Sequence, residues 1–196
     1  MRSRLPPLAV VLLFSPLLCA QIMKTNPAPE KILFNFAKAT NAAWQIVNDD
    51  VMGGVSTSTF HVTNGVAIFR GEVSLENNGG FASVRTMPAR FDLDDASEFL
   101  LRLRGDGRRY KFTARIDANF DGPLYQSAFT TTNGEWQEVR LPLKDFAPTF
   151  RGRVLAGEPP LSASKLTSIG FLISDKQAGP FRLEIGWIKA IGSQAN

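Results

Sequence analysis

Several stretches of the chain alternate apolar and polar residues with a period of two. Phe99, Leu101 and Leu103 share one side of a run whose other side carries Arg102 and Arg104. Tyr110, Phe112, Ala114 and Ile116 line up opposite Lys111, Thr113, Arg115 and Asp117. The pattern returns in Ile169, Phe171 and Ile173, in Phe181, Leu183, Ile185 and Trp187, and near the start in Ile32, Phe34 and Phe36. Successive strand residues point to opposite faces, so each run presents one apolar face for a core and one polar face. Trp44 to Val47, Val66 to Val73, Leu124 to Thr131 and Trp136 to Leu141 add further strand-like runs. No segment has a convincing period of 3.6, and short helices are expected only near 39–43 or 143–146. Gly105-Asp106-Gly107, Asn133-Gly134 and Gln177 to Pro180 read as hairpin turns between consecutive strands. Strands at such spacing, with one apolar face each, predict an all-β fold: a two-sheet antiparallel β-sandwich. With 15 Phe in 196 residues, there is ample material for one core.

The N-terminus is read apart from the fold. Arg2 and Arg4 precede an apolar run, Leu8 to Leu18, that ends in Cys19-Ala20. This is the layout of an export signal over 1–20, giving a periplasmic or secreted protein. Residues 21–31, with Pro27 and Pro29, read as a linker, and 32–192 as a single domain. The leader holds two Arg and no acid, so the formal charge of +4 falls to +2 without it. That leaves no nucleic-acid footprint. Cleavage after Ala20 would remove the one cysteine. Alternatively Cys19 becomes a lipidated N-terminus, the only route to membrane association in this reading. A mitochondrial presequence is the third alternative, since no acid precedes Glu30.

Chemistry-bearing residues gather at two polar, glycine-hinged corners. Asp49-Asp50 leads through Val51-Met52 to Gly53-Gly54, and Asn77-Asn78 leads to Gly79-Gly80. Glycine reaches positive φ freely and short polar side chains cap turns, so both read as tight reversals, with Gly54 and Gly80 expected at positive φ. The carboxylates cap a turn, or they hold a cation if Asn77 and Asn78 come close enough to add oxygens. His61 is the single histidine, in a strand-like run, and is read as a surface residue. No nucleophile elbow, dinucleotide fingerprint or Walker loop is present, so no enzyme and no cofactor is expected. Arg104-Gly105-Asp106 spells an adhesion tripeptide, which chance and a turn explain. Arg85, Arg104, Tyr110, Gln126 and Trp136 are expected to line one sheet face, as aromatics and Arg do in carbohydrate or peptide recognition. Core positions for Tyr110 and Trp136 are the equal alternative. The Pro-rich stretch 142–165 reads as a long loop whose Arg151 and Arg153 fold back on the acidic corner. The candidate binding residues are thus Asp49, Asp50, Met52, Asn77, Asn78, Arg85, Arg104, Asp106, Tyr110, Gln126, Trp136 and Arg151.

In order along the chain, WQIVNDDVMGGVS, FRGEVSLENNGGFASVR, LRLRGDGRRYKF, GEWQEVRLPLKDFAPTFRGR and SIGFLISDKQAGPFRLEIGWIKAI resemble the complex I intermediate-associated protein family. The likeness covers roughly residues 32 to 191. It implies a galactose-binding-like jelly roll and a role in assembling a respiratory or other membrane complex by holding a subunit, and it supplies no catalytic residues. An exported chain would not meet matrix-side subunits, so leader and implied role pull apart. The expectation is a non-enzymatic, chaperone-like module binding a protein partner, with an exported carbohydrate-binding module as the alternative.

Overall fold

The computed structural model describes residues 28–38, 42–117, 119 and 122–193. Among them the chain forms β1 (Glu30–Asn35), β2 (Trp44–Asn48), β3 (Thr57–Thr63), β4 (Val66–Val73), β5 (Ala82–Thr86), β6 (Ala96–Arg104) and β7 (Arg109–Arg115). Then follow β8 (Leu124–Thr130), β9 (Trp136–Pro142), β10 (Ala147–Phe150), β11 (Arg153–Val154), β12 (Ser168–Ile173) and β13 (Gly179–Gly192). The helical pieces among the described residues are short 3₁₀ turns, at Asp49–Met52, Glu76–Asn78, Leu143–Asp145 and Ala163–Lys165. None of these is long and apolar enough to cross a membrane. The fold is all-β, as the alternation requires.

Two sheets face each other. A six-stranded sheet runs β3-β4-β13-β6-β9, with β1 also paired to β13; a seven-stranded sheet runs β11-β10-β8-β7-β12-β5-β2. All the strand pairings are antiparallel. The inward faces are the apolar ones the period of two picks out: Phe99, Leu101 and Leu103 on β6, Tyr110, Phe112 and Ala114 on β7, Ile169, Phe171 and Ile173 on β12. Phe112 is fully buried and meets Phe99, Phe146 and Phe171 edge-on at 5.0, 6.3 and 5.3 Å between ring centres. Each such ring contributes about 1.5–3 kcal/mol by leaving water. Truncating Phe112 to Ala, with the cavity it leaves, would cost about 3–5 kcal/mol.

Local turn signals and long-range pairing part company at three places. The Gly105-Asp106-Gly107, Asn133-Gly134 and Gln177–Pro180 turns do not close hairpins. Each carries the chain from one sheet to the other, since β6, β9 and β13 lie in the six-stranded sheet and β7, β8 and β12 in the seven-stranded one. The crossings at Gly105 and Asn133 lie side by side, joined by a bridge between those residues. A true hairpin joins β3 to β4 through Asn64-Gly65, both at positive φ. Another lies inside the stretch read as loop: β10 and β11 pair across Arg151 (φ 48°) and Gly152 (φ 78°). β1 begins at Glu30, two residues inside the expected linker, and slips register between Ile32 and Phe34. That bulge turns Ile32 outward, 51% exposed, while Phe34 and Phe36 stay in the core. The short helix expected near 143–146 is the 3₁₀ turn Leu143–Asp145. The one considered near 39–43 falls partly on residues 39–41, outside the described residues, as do the leader and Cys19.

Candidate functional site

The two glycine corners meet, and Asp49 joins them. Its side chain is fully buried. Oδ1 accepts the Ser56 backbone N–H at 2.9 Å. Oδ2 accepts the Ser56 hydroxyl at 2.5 Å and the N–H groups of Gly80 and Phe81 at 2.7 and 3.2 Å. Burial opposes ionisation of this carboxyl, but the converging donors, Ser56 first, outweigh it and hold its pKa below the usual aspartate value. Gly54 and Gly79 make room for it. A Cβ on Gly54 would overlap the carboxylate, and one on Gly79 would lie 2.6 Å from Oδ2. The corner therefore needs glycine at 54 for close approach, whereas Gly80 does adopt positive φ, at +133°. Asp49 is a structural tie and presents no oxygen to a ligand. Asp50 beside it is exposed, as are Asn77 and Asn78, both in the left-handed region. Among the described residues no group of three or more His, Cys, Asp or Glu is placed to hold a metal. His61 is exposed on β3, an edge strand.

Beside this corner a cleft of about 670 Å³ opens on the outer face of the seven-stranded sheet. Strand register builds its floor. Gln45 of β2, Arg85 of β5, Gly170 of β12, Thr113 of β7, Gln126 of β8 and Ala147 of β10 form one cross-strand row. Val47, Ser83, Leu172 and Lys111 form the next. Gly170 keeps the middle flat; a Cβ there would strike the Val84 carbonyl and lie 2.9 Å from Arg85 Cβ. Val51, Met52 and Phe81 from the corner wall one side, and Phe150, Arg151 and Gly152 of the β10–β11 hairpin wall the other. Arg115 also lines the cleft and donates to the Gly122 carbonyl at 2.7 Å. Lys111 pairs with Asp175 at 2.6 Å and donates to Ser174 Oγ at 2.9 Å. Burial raises the Asp175 carboxyl, but the Lys111 hydrogen bond and charge more than reverse it, so its pKa is lowered.

Met52, Arg85, Gln126 and Arg151, expected from the sequence as binding residues, thus line one cleft. The others part from it. Tyr110 is fully buried between the sheets, and its hydroxyl donates to Asp106, both oxygens at 3.0 Å. Burial first, and Asp106 second, push that phenol's pKa far up. Asp106 also accepts the backbone N–H of Arg108 at 3.1 Å and of Arg182 at 2.8 Å, so it braces a sheet crossing. Trp136 and Arg104 lie on the six-stranded sheet, opposite the cleft. Arg104 sits 5.0 Å from the Trp136 ring centre and donates to the buried Glu184 at 2.7 Å. The single face expected for Arg85, Arg104, Tyr110, Gln126 and Trp136 is therefore three places: two outer faces and the core. Lys111, Thr113, Leu172 and Asp175 belong to the cleft and were not among the expected residues. The polar side of the 111–115 run was readable; its neighbours in the sheet were not.

The family model for complex I intermediate-associated protein 30 (CIA30) matches residues 34–185. Complex I intermediate-associated protein 30, mitochondrial, from Mus musculus is 32% identical over 166 residues, covering 74% of this chain and 51% of the mouse protein. The Drosophila melanogaster protein of that name is 27% identical over 192 residues, covering 85% of this chain and 64% of its own. The chain thus spans about half to two-thirds of these relatives' length. Among solved structures, the family 11 carbohydrate-binding module of a Clostridium thermocellum cellulase superposes with a TM-score of 0.61 at 16% identity, covering 87% of this chain and 99% of the module. That likeness is one of fold, a β-sandwich with the same layers. The matched span takes in the Asp49 corner and every strand that floors the cleft, and the chain belongs to the complex I intermediate-associated protein 30 family.

Proposed function

We propose that this chain is a non-catalytic binding module of the complex I assembly-factor kind, holding a protein partner in the cleft of the seven-stranded sheet. The observation that carries this reading is the meeting of Met52, Arg85, Gln126 and Arg151, from four distant segments, in one cleft braced by the Asp49 corner. The relatives' names, which attach them to a complex I intermediate, support the kind of partner. Affinity capture of the tagged protein from its native membrane fraction tests it. Subunits of an NADH:ubiquinone oxidoreductase should be recovered, and recovery should fall with Arg151→Glu, an exposed change on a hairpin tip. Equal recovery with wild type and variant would remove the cleft from the reading.

The carbohydrate-binding alternative keeps Gln126 in the cleft but loses two of the three residues that suggested it, since Tyr110 is in the core and Trp136 on the other sheet. For location, the relatives' names support the mitochondrial alternative, and the apolar leader supports export or lipidation at Cys19. A reporter fused to residues 1–31 separates these by import into isolated mitochondria, signal-peptidase processing or lipid labelling.

A further inference from the structure

An open strand edge offers a row of unpaired backbone N–H and C=O groups, and folded chains guard such rows with charge, proline, a bulge or brevity. Every open edge among the described strands but one carries a guard. β1 sets Glu30 against Lys189, and Lys31 donates to the Phe91 and Asp92 carbonyls. β9 carries Glu138 and Arg140 and ends on Pro142. β11 is two residues long, one of them Arg153. β2 has five residues, of which Gln45 alone is exposed. β3 has none of these guards. Its seven residues hold no Lys, Arg, Asp, Glu or Pro, and they pair one-to-one with β4, without a slip, from Thr57–Glu72 to Thr63–Val66. Thr57, Thr59, His61, Val62 and Thr63 are exposed. The strand is also held in place. Ser58 Oγ donates to Asn48 Oδ1 at 2.7 Å, and Phe60 stacks on Trp44 with ring centres 4.8 Å apart.

We infer that β3 pairs antiparallel with β3 of a second copy of this chain, joining two six-stranded sheets edge to edge. A strand without charge meets no like charge in its own copy, so nothing along it opposes self-pairing. With the two-fold axis at Phe60, Thr57 faces Thr63 of the second copy and Thr59 faces His61 of the second copy. Such β-branched and polar residues suit a pleated, half-exposed surface. Arg70, opposite Thr59 on β4, lies one strand further out. It stands at least about 14 Å from its own mate, three strand spacings away, beyond the about 8 Å over which exposed charges act at physiological salt. The axis stands normal to the sheets, so the clefts of both copies open on one side of the pair. A strip one strand long buries less than the about 1,200–2,000 Å² of a stable interface, so the pair forms and dissociates with concentration. None of this depends on what the cleft binds.

Sedimentation velocity of the purified protein from about 5 to about 500 µM, in about 0.15 M salt, tests this. The mass should rise with concentration from that of one chain, 21.5 kDa, toward twice that. Thr59→Glu with His61→Glu sets like charges opposite each other across the axis and should keep the protein monomeric over that range. Thr59→Glu with His61→Lys sets opposite charges there and should restore the pair, which a contact elsewhere on the molecule would not do. Both positions are exposed, and a thermal melt confirms folding of each variant. A wild type monomeric throughout, or a pair indifferent to Thr59→Glu with His61→Glu, would overturn the inference. So would a pair lost in both variants, since the two positions would then not face each other. A monomeric wild type whose partner capture is lost in Thr59→Glu with His61→Glu would give the edge to a strand of another protein instead.

Discussion

Replacing Asp49 by alanine removes one side chain and strands four donors: the N–H groups of Ser56, Gly80 and Phe81 and the Ser56 hydroxyl. A hydrogen bond to a charged group contributes about 1.5–3 kcal/mol, and a buried donor left without a partner costs about 1–3 kcal/mol. These costs do not add in full, since the Ser56 hydroxyl can turn to the Ser74 carbonyl 3.3 Å away and water can enter the space. The net destabilisation should be about 3–5 kcal/mol, within the range for breaking a buried network. For a domain of this size that lowers the melting temperature by roughly 6–20 °C. Asp49→Asn, which keeps an acceptor but turns an NH₂ toward the donors, should fall between alanine and wild type. Asp50→Ala, at an exposed site, should stay within about 0.5 kcal/mol. Urea denaturation with the slope held constant reads all three. If Asp49→Ala lost less than about 1 kcal/mol, the carboxylate would not be what ties the two corners.

Gly54→Val should destabilise by about 1–3 kcal/mol, by overlap with the Asp49 carboxylate and not by backbone strain; the pair Gly54→Val with Asp49→Ala, in which that overlap is gone, should be less than additive in a double-mutant cycle. Asp49, Asp175 and Glu184 all have folded pKa values below their unfolded ones. The stability they contribute is complete above the unfolded values of 3.8 and 4.5, and is lost as the pH falls through the lower folded values. Denaturant midpoints should therefore change little from pH 7 to 5 and drop below about 4; a midpoint independent of pH down to 2 would contradict this. Tyr110→Phe, which deletes the hydroxyl bound to Asp106, should cost about 0.5–1.5 kcal/mol in a thermal melt. Asp106→Ala should cost more, because Tyr110, Arg108 and Arg182 all lose their acceptor.

The period of two was enough to read the sandwich, because face assignment depends only on alternation within each strand. Phe112 beside Tyr110 places both on the inner face, and that same count excludes Tyr110 from any outer surface. Pairing was not legible. Gly107 and Gly134 sit at positive φ whether the chain turns back in the same sheet or crosses to the other. Which happens depends on partners far along the chain, such as β12 filling the place beside β7. The cleft followed the same rule: Arg85, Thr113 and Gln126 become neighbours through a register spread over four strands. Asp49 and Asp50 look equivalent in sequence, and only the 3₁₀ turn at Asp49–Met52 sends one inward and leaves the other in water.

β13, the last strand among the described residues, lies in the middle of its sheet, bonded to β4 and β1 on one side and to β6 on the other. A ribosome delivers it after every strand it holds together. Until Gly179 to Gly192 emerge, the edges of β1, β4 and β6 wait open, with their apolar sides uncovered. Such a nascent chain is exposed to edge-to-edge sticking. Its dependence on folding helpers should be greatest just before β13 emerges, and a chain cut short near residue 178 should aggregate and not fold in part.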